Sequence, residues 1–298
     1  MGNALVTGSA GFVGRNFVKF LHAAGWKVRG CDIQTGEDAL DFFRNPYDPF
    51  TYDLVVHCAA VVGGRQVIDG KPLSQLANIE LDAALFRWAA RRDVGRVIYL
   101  SSSAAYPVVL QQAKDRQRLG EEHLLPWADV IGRPDQLYGW AKVNGEVLAH
   151  RARQAGMPVT VVRPFSGYGE DQEADYPFPA FIDRALRKEN PFLVWGTGDQ
   201  VRDFIHIDDI VAACMELYQG EVNGPVNLGW GLPVSMRQLA AAICERAGYE
   251  PRFEFSPGSP AGVEYRVARN AELRKWYRPS VSLEEGIDRA LSYRSRIQ

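Results

Sequence analysis

Thr7-Gly8-Ser9-Ala10-Gly11-Phe12-Val13-Gly14 joins a short apolar run, Asn3–Thr7, to an amphipathic stretch, Gly14–Ala24. The run reads as a strand and the stretch as a helix. The three glycines at this junction each answer a steric need. Gly8 permits the tight turn. Gly11 lets the backbone approach a pyrophosphate resting on the helix N-terminus, and Gly14 lets the helix pack closely on the strand. The loop therefore predicts a dinucleotide site. Asp32 ends the next apolar run, Lys27–Cys31, eighteen residues after Gly14. A carboxylate there accepts hydrogen bonds from the adenosine ribose and repels a 2′-phosphate, which favours NAD over NADP. Arg15 and Arg29 keep NADP open, since an arginine could reach a 2′-phosphate.

Outward from this loop the alternation continues. Leu54–Ala60 and Arg96–Ser101 are apolar at nearly every position, the pattern of strands buried on both faces. Val159–Arg163 is a further strand, and Leu73–Arg92 and Tyr138–Ala155 read as helices. The rhythm predicts an α/β fold with a Rossmann-like doubly wound parallel sheet. The stretch between Asp32 and Leu54 is short, so Gly36–Asp48 is expected to hold an abbreviated crossover with a short strand at Ala39–Phe42. Beyond Tyr168 the style changes to helices at Pro177–Lys188, Asp208–Tyr218 and Ser235–Ala247, and a final one from Leu283, separated by Gly- and Pro-rich loops. We expect residues 1–167 to form the dinucleotide-binding domain. Residues 168–298 are expected to form mainly a smaller substrate-binding lobe, with some segments returning to the first domain. Val108–Gly132 reads either as a cover for the substrate or as a surface loop.

Composition excludes several classes. The chain has 298 residues, 46% hydrophobic and 23% charged, the balance of a globular protein rather than a disordered or fibrous one. A net charge of −2 gives no strong pull toward nucleic acid or an anionic membrane surface. No apolar run approaches the roughly 20 residues that span a bilayer, and the short run Ala4–Val6 leads straight into the glycine turn, unlike a secretory leader. Cys31, Cys58, Cys214 and Cys244 form no C-x-x-C pair, so neither a metal site nor a disulfide framework is expected; scattered thiols fit a reducing cytoplasm.

Three residues could carry redox chemistry at an alcohol. Ser101-Ser102-Ser103-Ala104-Ala105-Tyr106 follows a buried strand, at the end where ligands bind in such sheets. Tyr138 and Lys142 stand four apart on one predicted helix and share a face. The reaction needs a base that takes a proton as hydride leaves the same carbon. A lysine ammonium about 5 Å from a phenolate, at an effective dielectric of about 20, stabilises it by roughly 3 kcal/mol. A serine hydroxyl can hold the substrate oxygen and share the proton.

Across nearly its whole length the chain resembles the extended short-chain dehydrogenases/reductases, in the nucleotide-sugar epimerase/dehydratase/reductase group. The motifs that carry the resemblance are the glycine loop, His57-Cys58-Ala59-Ala60, Ser101–Tyr106, Tyr138-Gly139-Trp140-Ala141-Lys142, Arg163-Pro164-Phe165, Val201–Asp209 and Val226-Asn227-Leu228-Gly229. The resemblance implies that Ser102 is the catalytic hydroxyl and Tyr138 the acid/base. It implies that Lys142 binds the nicotinamide ribose and tunes Tyr138. For NAD it implies Gly8, Gly11, Phe12, Val13 and Gly14 in the loop, with Asp32 and Ile33 after the second strand. Asp41 and Phe42 would flank adenine. Ala59 and Ala60 would line the cofactor, Asn78 would support it, and Leu100, Pro164 and Phe165 complete the set. For a nucleotide-diphosphate sugar it implies Arg202, with Arg266 as a second phosphate ligand, and Gly64, Ser103 and Ser166 toward the sugar. Asp208 and Asp209 are expected to cap a helix, and His206 to be structural. A homodimer through the two helices at Leu73–Arg92 and Tyr138–Ala155 is the family's implication.

Departures from the family pattern narrow the reaction. A 4,6-dehydratase carries an Asp-Glu pair just after its catalytic threonine, and a sugar-acid decarboxylase a glutamate; here the positions hold Ser103 and Ala104. Val62-Gly63-Gly64, Ala105-Tyr106-Pro107, Val234-Ser235-Met236 and Gly262–Arg266 resemble GDP-mannose 3,5-epimerase and GDP-fucose synthase. Those enzymes place a cysteine where this chain has Ala104, and a methyl group cannot move a proton. Redox chemistry at C4 survives. The leading expectation is an NAD-dependent 4-epimerase working through a 4-keto intermediate. The alternative is an NAD(P)H-dependent 4-ketosugar reductase, and a third reading is a non-catalytic NAD-sensing protein. The nucleotide stays open among UDP, GDP and dTDP.

Overall fold

The computed structural model describes residues 2–45, 47–63 and 72–297. Strand and helix alternate through residue 164: β1 (Asn3–Thr7), α1 (Phe12–Ala23), β2 (Lys27–Cys31), α2 (Ala39–Arg44), β3 (Leu54–His57), α3 (Leu76–Ala89), β4 (Val97–Leu100), α4 (Gln136–Gln154) and β5 (Val159–Pro164). Then follow β6 (Ser166–Tyr168), α5 (Pro177–Leu186), β7 (Phe192–Trp195), β8 (Val201–Arg202), β9 (Phe204–His206), α6 (Ile207–Gln219) and β10 (Gly224–Leu228). The last elements are β11 (Val234–Ser235), α7 (Met236–Arg246), β12 (Phe253–Ser256), β13 (Tyr265–Arg266) and α8 (Leu283–Arg294).

Six strands form one sheet in the order β10-β5-β4-β3-β1-β2, with every pairing parallel. Alternate residues feed two cores. Ala4 and Val6 pack with Phe17 and Leu21 of α1 and Ile210 and Leu217 of α6. Leu5 points to the other face, among Leu85 and Trp88 of α3 and Ala149 of α4. Both faces are covered, which is why these strands read as continuously apolar. Strand order reverses between β1 and β3, and the crevice outside the strand ends at such a point is where ligands bind.

A third core lies outside this sheet, where Phe178, Phe181 and Ile182 of α5 meet Leu239 and Ile243 of α7 and Ile287 of α8. Around it β7 pairs β12, β6 pairs β9, and β8 lies between β11 and β13. The chain does not divide once: β10 joins the large sheet beside β5 although α5 and β6 to β9 precede it in the chain.

Three local expectations need correction. Ala39–Phe42 lies in the helix α2, not in a strand, with the Asp38 side chain capping Leu40 N–H at 2.7 Å. A strand would send Phe42 and Phe43 to opposite faces. The helix lets both rings meet Trp88, at centroid distances of 5.7 and 5.3 Å. Burial of each is worth about 1.5–3 kcal/mol. Next, β3 stops at His57, the register partner of Thr7, where the neighbouring strand β1 itself ends. Finally, His206, not Asp208 or Asp209, caps α6, accepting the Asp208 N–H on Nδ1 at 3.2 Å. Asp209 is instead buried and accepts from Tyr277 Oη, Ser280 N and Val281 N, so it anchors the chain ahead of α8.

Candidate active site

The glycine loop is built as its spacing demands. Gly8 has φ of 66°, in the left-handed region that favours glycine. A Cβ on Gly8 would fall 2.7 Å from Ala59 N, and one on Gly14 only 2.0 Å from Gly8 O. Gly14 therefore lets α1 close onto the loop, and Gly8 lets the ends of β1 and β3 meet. Gly11 is the N-cap of α1, and no side chain caps this helix. The first-turn N–H groups of Phe12 and Val13 thus face outward from the helix end, the arrangement that receives a diphosphate. Asp32 is buried against the loop, its Oδ2 accepting Ala10 N–H at 3.0 Å and its Oδ1 accepting Gln34 N–H at 2.8 Å. A carboxylate has lone pairs to spare for ribose hydroxyls. These features fit NAD.

Both arginines that kept NADP open are held by carboxylates. Arg15 pairs with Asp171 at 2.6 Å and Glu173 at 3.0 Å, and donates to Ala10 O at 3.2 Å. Arg29 pairs with Glu37 at 2.7 Å and lies 4.7 Å over the Phe42 ring. Phe42, implied beside adenine, is instead turned into the core beside Trp88 at 6% exposure, while Asp41 and Ile33 stay exposed. Asn78 is buried and clamps Val61, accepting its N–H at 2.6 Å and donating to its carbonyl at 3.0 Å. It thereby fixes the segment after β3 that holds Ala59 and Ala60. Gly64 lies outside the described residues.

The sheet brings the proposed catalytic groups to one strand end. Lys142 is 3% exposed; its ammonium donates to Leu100 O at 2.8 Å and lies 6.0 Å from the Tyr138 ring centroid. Tyr138 itself is half-buried. Ser102 follows β4 and caps the turn Ser103–Ala105, its Oγ accepting Ala104 N–H at 3.1 Å. That turn touches the start of α4. Ala104 O accepts Asp135 N–H at 2.9 Å, and a Cβ on Gly139 would lie 2.4 Å from the same oxygen. Gln136, the first residue of α4, has φ of 59°, a conformation that costs a non-glycine residue about 1–3 kcal/mol and clusters at functional sites. Phe165 packs on Tyr106 beyond the end of β5, and Ser166 N–H donates to Asp203 O at 2.9 Å.

Arg202 and Arg266 are register partners across β8 and β13. Parallel partners send their side chains to the same face, on strands about 4.8 Å apart. Arg202 Nη1 donates to Val201 O and Val263 O, both at 2.8 Å, and its Nη2 donates to Ala261 O. Arg266 pairs with Asp135 at 2.8 Å and donates to Gln111 Oε1. Two guanidiniums side by side suit a diphosphate.

Sequence reading missed two groups. Asp203 is fully buried and accepts the backbone N–H groups of Trp230, Gly231 and Ala268; burial pushes its carboxyl up to about 7 against those donors. Arg163, read only as part of a motif, is fully buried and paired with Glu146 at 2.6 Å. Neither has a local signal, because both partners lie far away in sequence. The segment 108–132, left open by sequence, is pinned at Leu119, whose N–H donates to Val267 O, and at Trp127, stacked 4.2 Å from His150.

Sheet, loop and tyrosine–lysine helix together define an α/β enzyme that uses a dinucleotide. The chain belongs to the NAD dependent epimerase/dehydratase family, whose model matches residues 4–229. A dTDP-4-dehydro-6-deoxy-D-allose reductase from a Streptomyces species is 29% identical over 301 residues, covering 88% of this chain and 86% of the relative. The GDP-L-fucose synthase of Escherichia coli (strain K12) is 27% identical over 269 residues, covering 83% and 80%. Among solved structures, the UDP-glucose 4-epimerase of Thermus thermophilus in complex with NAD matches over 98% of each chain, with a TM-score of 0.81 and 22% identity, a likeness of fold.

Proposed function

We propose that this enzyme is an NAD-dependent nucleotide-sugar epimerase acting at C4 through a transient 4-keto sugar. The observation that carries the reading is the placement of Lys142 beside Tyr138 at the end of β4, where the adjoining turn offers only Ser102, Ser103 and Ala104. Hydroxyls and a methyl group there supply no base for protons at C3, C5 or C6, so the chemistry reduces to an alcohol and its ketone. Bound NAD supplies a reversible acceptor for the C4 hydride. Tyr138 takes the 4-OH proton and later returns it. Ser102 holds the C4 oxygen, and Lys142, beside the Tyr138 ring, binds the nicotinamide ribose. Arg202 and Arg266 hold the diphosphate while the sugar turns over between the two transfers.

Several supporting assignments belong to this reading. Residues 1–167 bind NAD and carry Ser102 and Tyr138 to the sugar; residues 168–298 form mainly the substrate-binding lobe, with β10 returning to the large sheet. Free thiols at Cys31, Cys58, Cys214 and Cys244 support a cytoplasmic setting, and action on a nucleotide sugar places the enzyme in carbohydrate biosynthesis. No helix among the described residues is long and apolar enough to cross a membrane. The packed pair α3 and α4, with Leu76 and Trp140 exposed, supports a homodimer.

Nucleotide released by denaturing the purified protein tests the reading. Stoichiometric NAD, and interconversion of a UDP-, GDP- or dTDP-sugar with its C4 epimer, are expected. An empty site that consumes NADH or NADPH once per 4-keto sugar turned over makes the enzyme a reductase instead. Tyr138→Phe should lower kcat by about 10²–10⁴-fold with the NAD content unchanged. Turnover within tenfold of wild type sinks the assignment of Tyr138.

A further inference from the structure

We propose that Glu146, held by Arg163, is a positioning residue that sets the register between the helix bearing Tyr138 and the strand end bearing Ser102. The inference rests on the C4 chemistry above. Two residues of α4 one turn apart bond successive residues of the chain leaving β4. Lys142 donates to Leu100 O at 2.8 Å, and Glu146 Oε1 accepts Ser101 Oγ at 2.5 Å. Between them the helix comes close enough that a Cβ on Gly145 would lie 1.8 Å from Tyr99 Oη, itself donating to Asp82 at 2.6 Å. Glu146 cannot swing, because Arg163 grips it with two bonds: Nε to Oε1 at 2.8 Å and Nη2 to Oε2 at 2.6 Å. Both side chains are almost fully buried, at 2% and 0% exposure. Arg163 also donates to Tyr106 Oη at 2.9 Å and to Leu124 O at 2.8 Å, so it holds the far end of the serine turn as well.

A buried ion pair is weak as a source of stability, since apolar side chains of similar size fill such a space as well. Directional bonds do what apolar packing cannot, which is to forbid small slides of the helix along the strand. Tyr138 lies two turns before Glu146 on the same rigid helix, so a slide at Glu146 is a slide at the phenol. A misplacement of about 1 Å can cost about 10²-fold in rate.

Two variants test this. Ser101→Ala removes the hydroxyl link and keeps the ion pair. Glu146→Gln combined with Arg163→Met removes the pair without leaving a lone buried charge. In Ser101→Ala, kcat should fall several-fold, and in the double variant about 10–100-fold. The KM for the nucleotide sugar and the NAD content should not change, and the effects should not add when all three substitutions are combined. A purely structural role predicts a lower Tm with kcat per folded, NAD-loaded molecule within twofold of wild type, and that result overturns the proposal. If the double variant does not fold, Ser101→Ala decides by the same criterion. Hydrogen exchange of the 136–142 amides is read on the same samples. If wild type turns over no nucleotide sugar, the C4 reading fails by itself and exchange decides here: faster in Ser101→Ala supports positioning, and unchanged overturns it.

Discussion

At the glycine loop the groups offered to an anion are backbone N–H groups of a helix end; at β8 and β13 they are guanidiniums on long stems. The loop's donors take their places when α1 closes over Gly14 onto Gly8. They have no rotamers to lose on binding. The arginines do, up to about 2 kcal/mol each, yet both are already engaged. Arg202 rests on the carbonyls of Val201, Ala261 and Val263, and Arg266 on Gln111 and Asp135. If, as proposed, this pair takes up a diphosphate, it trades protein oxygens for phosphate oxygens. A site made of backbone is thus set by folding alone, whereas a site made of long side chains needs the surrounding loops to hold them. Asp203 does part of that holding, because it ties together the chain at Trp230, Gly231 and Ala268, next to the two arginines.

The sharpest way to break this contrast is at Gly14. Gly14→Ala puts a methyl group into the Gly8 carbonyl, which must move. NAD content after purification should drop to a small fraction of wild type, with Tm lowered by overpacking worth about 1–3 kcal/mol. Full NAD content would show that the loop is not the diphosphate site. At the other end, Arg202→Ala should raise the KM for the nucleotide sugar about 10–100-fold, the equivalent of losing charge-assisted hydrogen bonds of about 1.5–3 kcal/mol, with NAD content intact. A lower Tm with unchanged KM would leave Arg202 as a brace for the 261–263 chain only.

Smaller effects sharpen the picture. Arg15→Met leaves Asp171 and Glu173 unpaired beside the glycine loop. This pair is about 30% exposed, so screening limits its worth to about 1 kcal/mol or less. NAD release, followed by exchange against labelled NAD, should quicken by a few-fold. Slower release would mean that the arginine competes with the cofactor instead of shielding it. The smallest expected effect concerns pH. The Asp203 carboxyl is raised in the folded state to about 7 by burial. The folded protein therefore binds this proton more tightly than the unfolded chain. The associated stability is complete below about pH 4 and is lost as pH rises through about 7. Asp203→Asn loses backbone acceptor strength at every pH but has no proton to lose. Its deficit in urea midpoint against wild type should shrink between pH 5 and 8. A constant deficit would show that the backbone donors keep Asp203 ionised throughout.

The geometry of the glycine loop was legible because its constraints are local. A loop of eight residues contains its own reasons: Gly8 needs a positive φ, and Gly14 needs an absent Cβ. Tyr138 and Lys142 share a face through helix geometry alone. The same locality misled at Ala39–Phe42, where a short apolar run is ambiguous between strand and helix and Trp88, far along the chain, decided it. It misled again at the cap of α6, which depends on where β9 lets go of the sheet.

The sequence by itself determined the alternation of strand and helix, the glycine loop, the acid after β2 and the Tyr–Lys pair, because each rests on spacing within a turn or two of chain. Tertiary structure alone decided what faces what across long separations. It occupied Arg15 and Arg29 with carboxylates, set Arg202 beside Arg266 on neighbouring strands, and buried Arg163 on Glu146 behind the serine turn. Those contacts are fixed by how sheets and helices pack, and a pattern of residue types along a chain does not encode which distant charge will be brought to meet another.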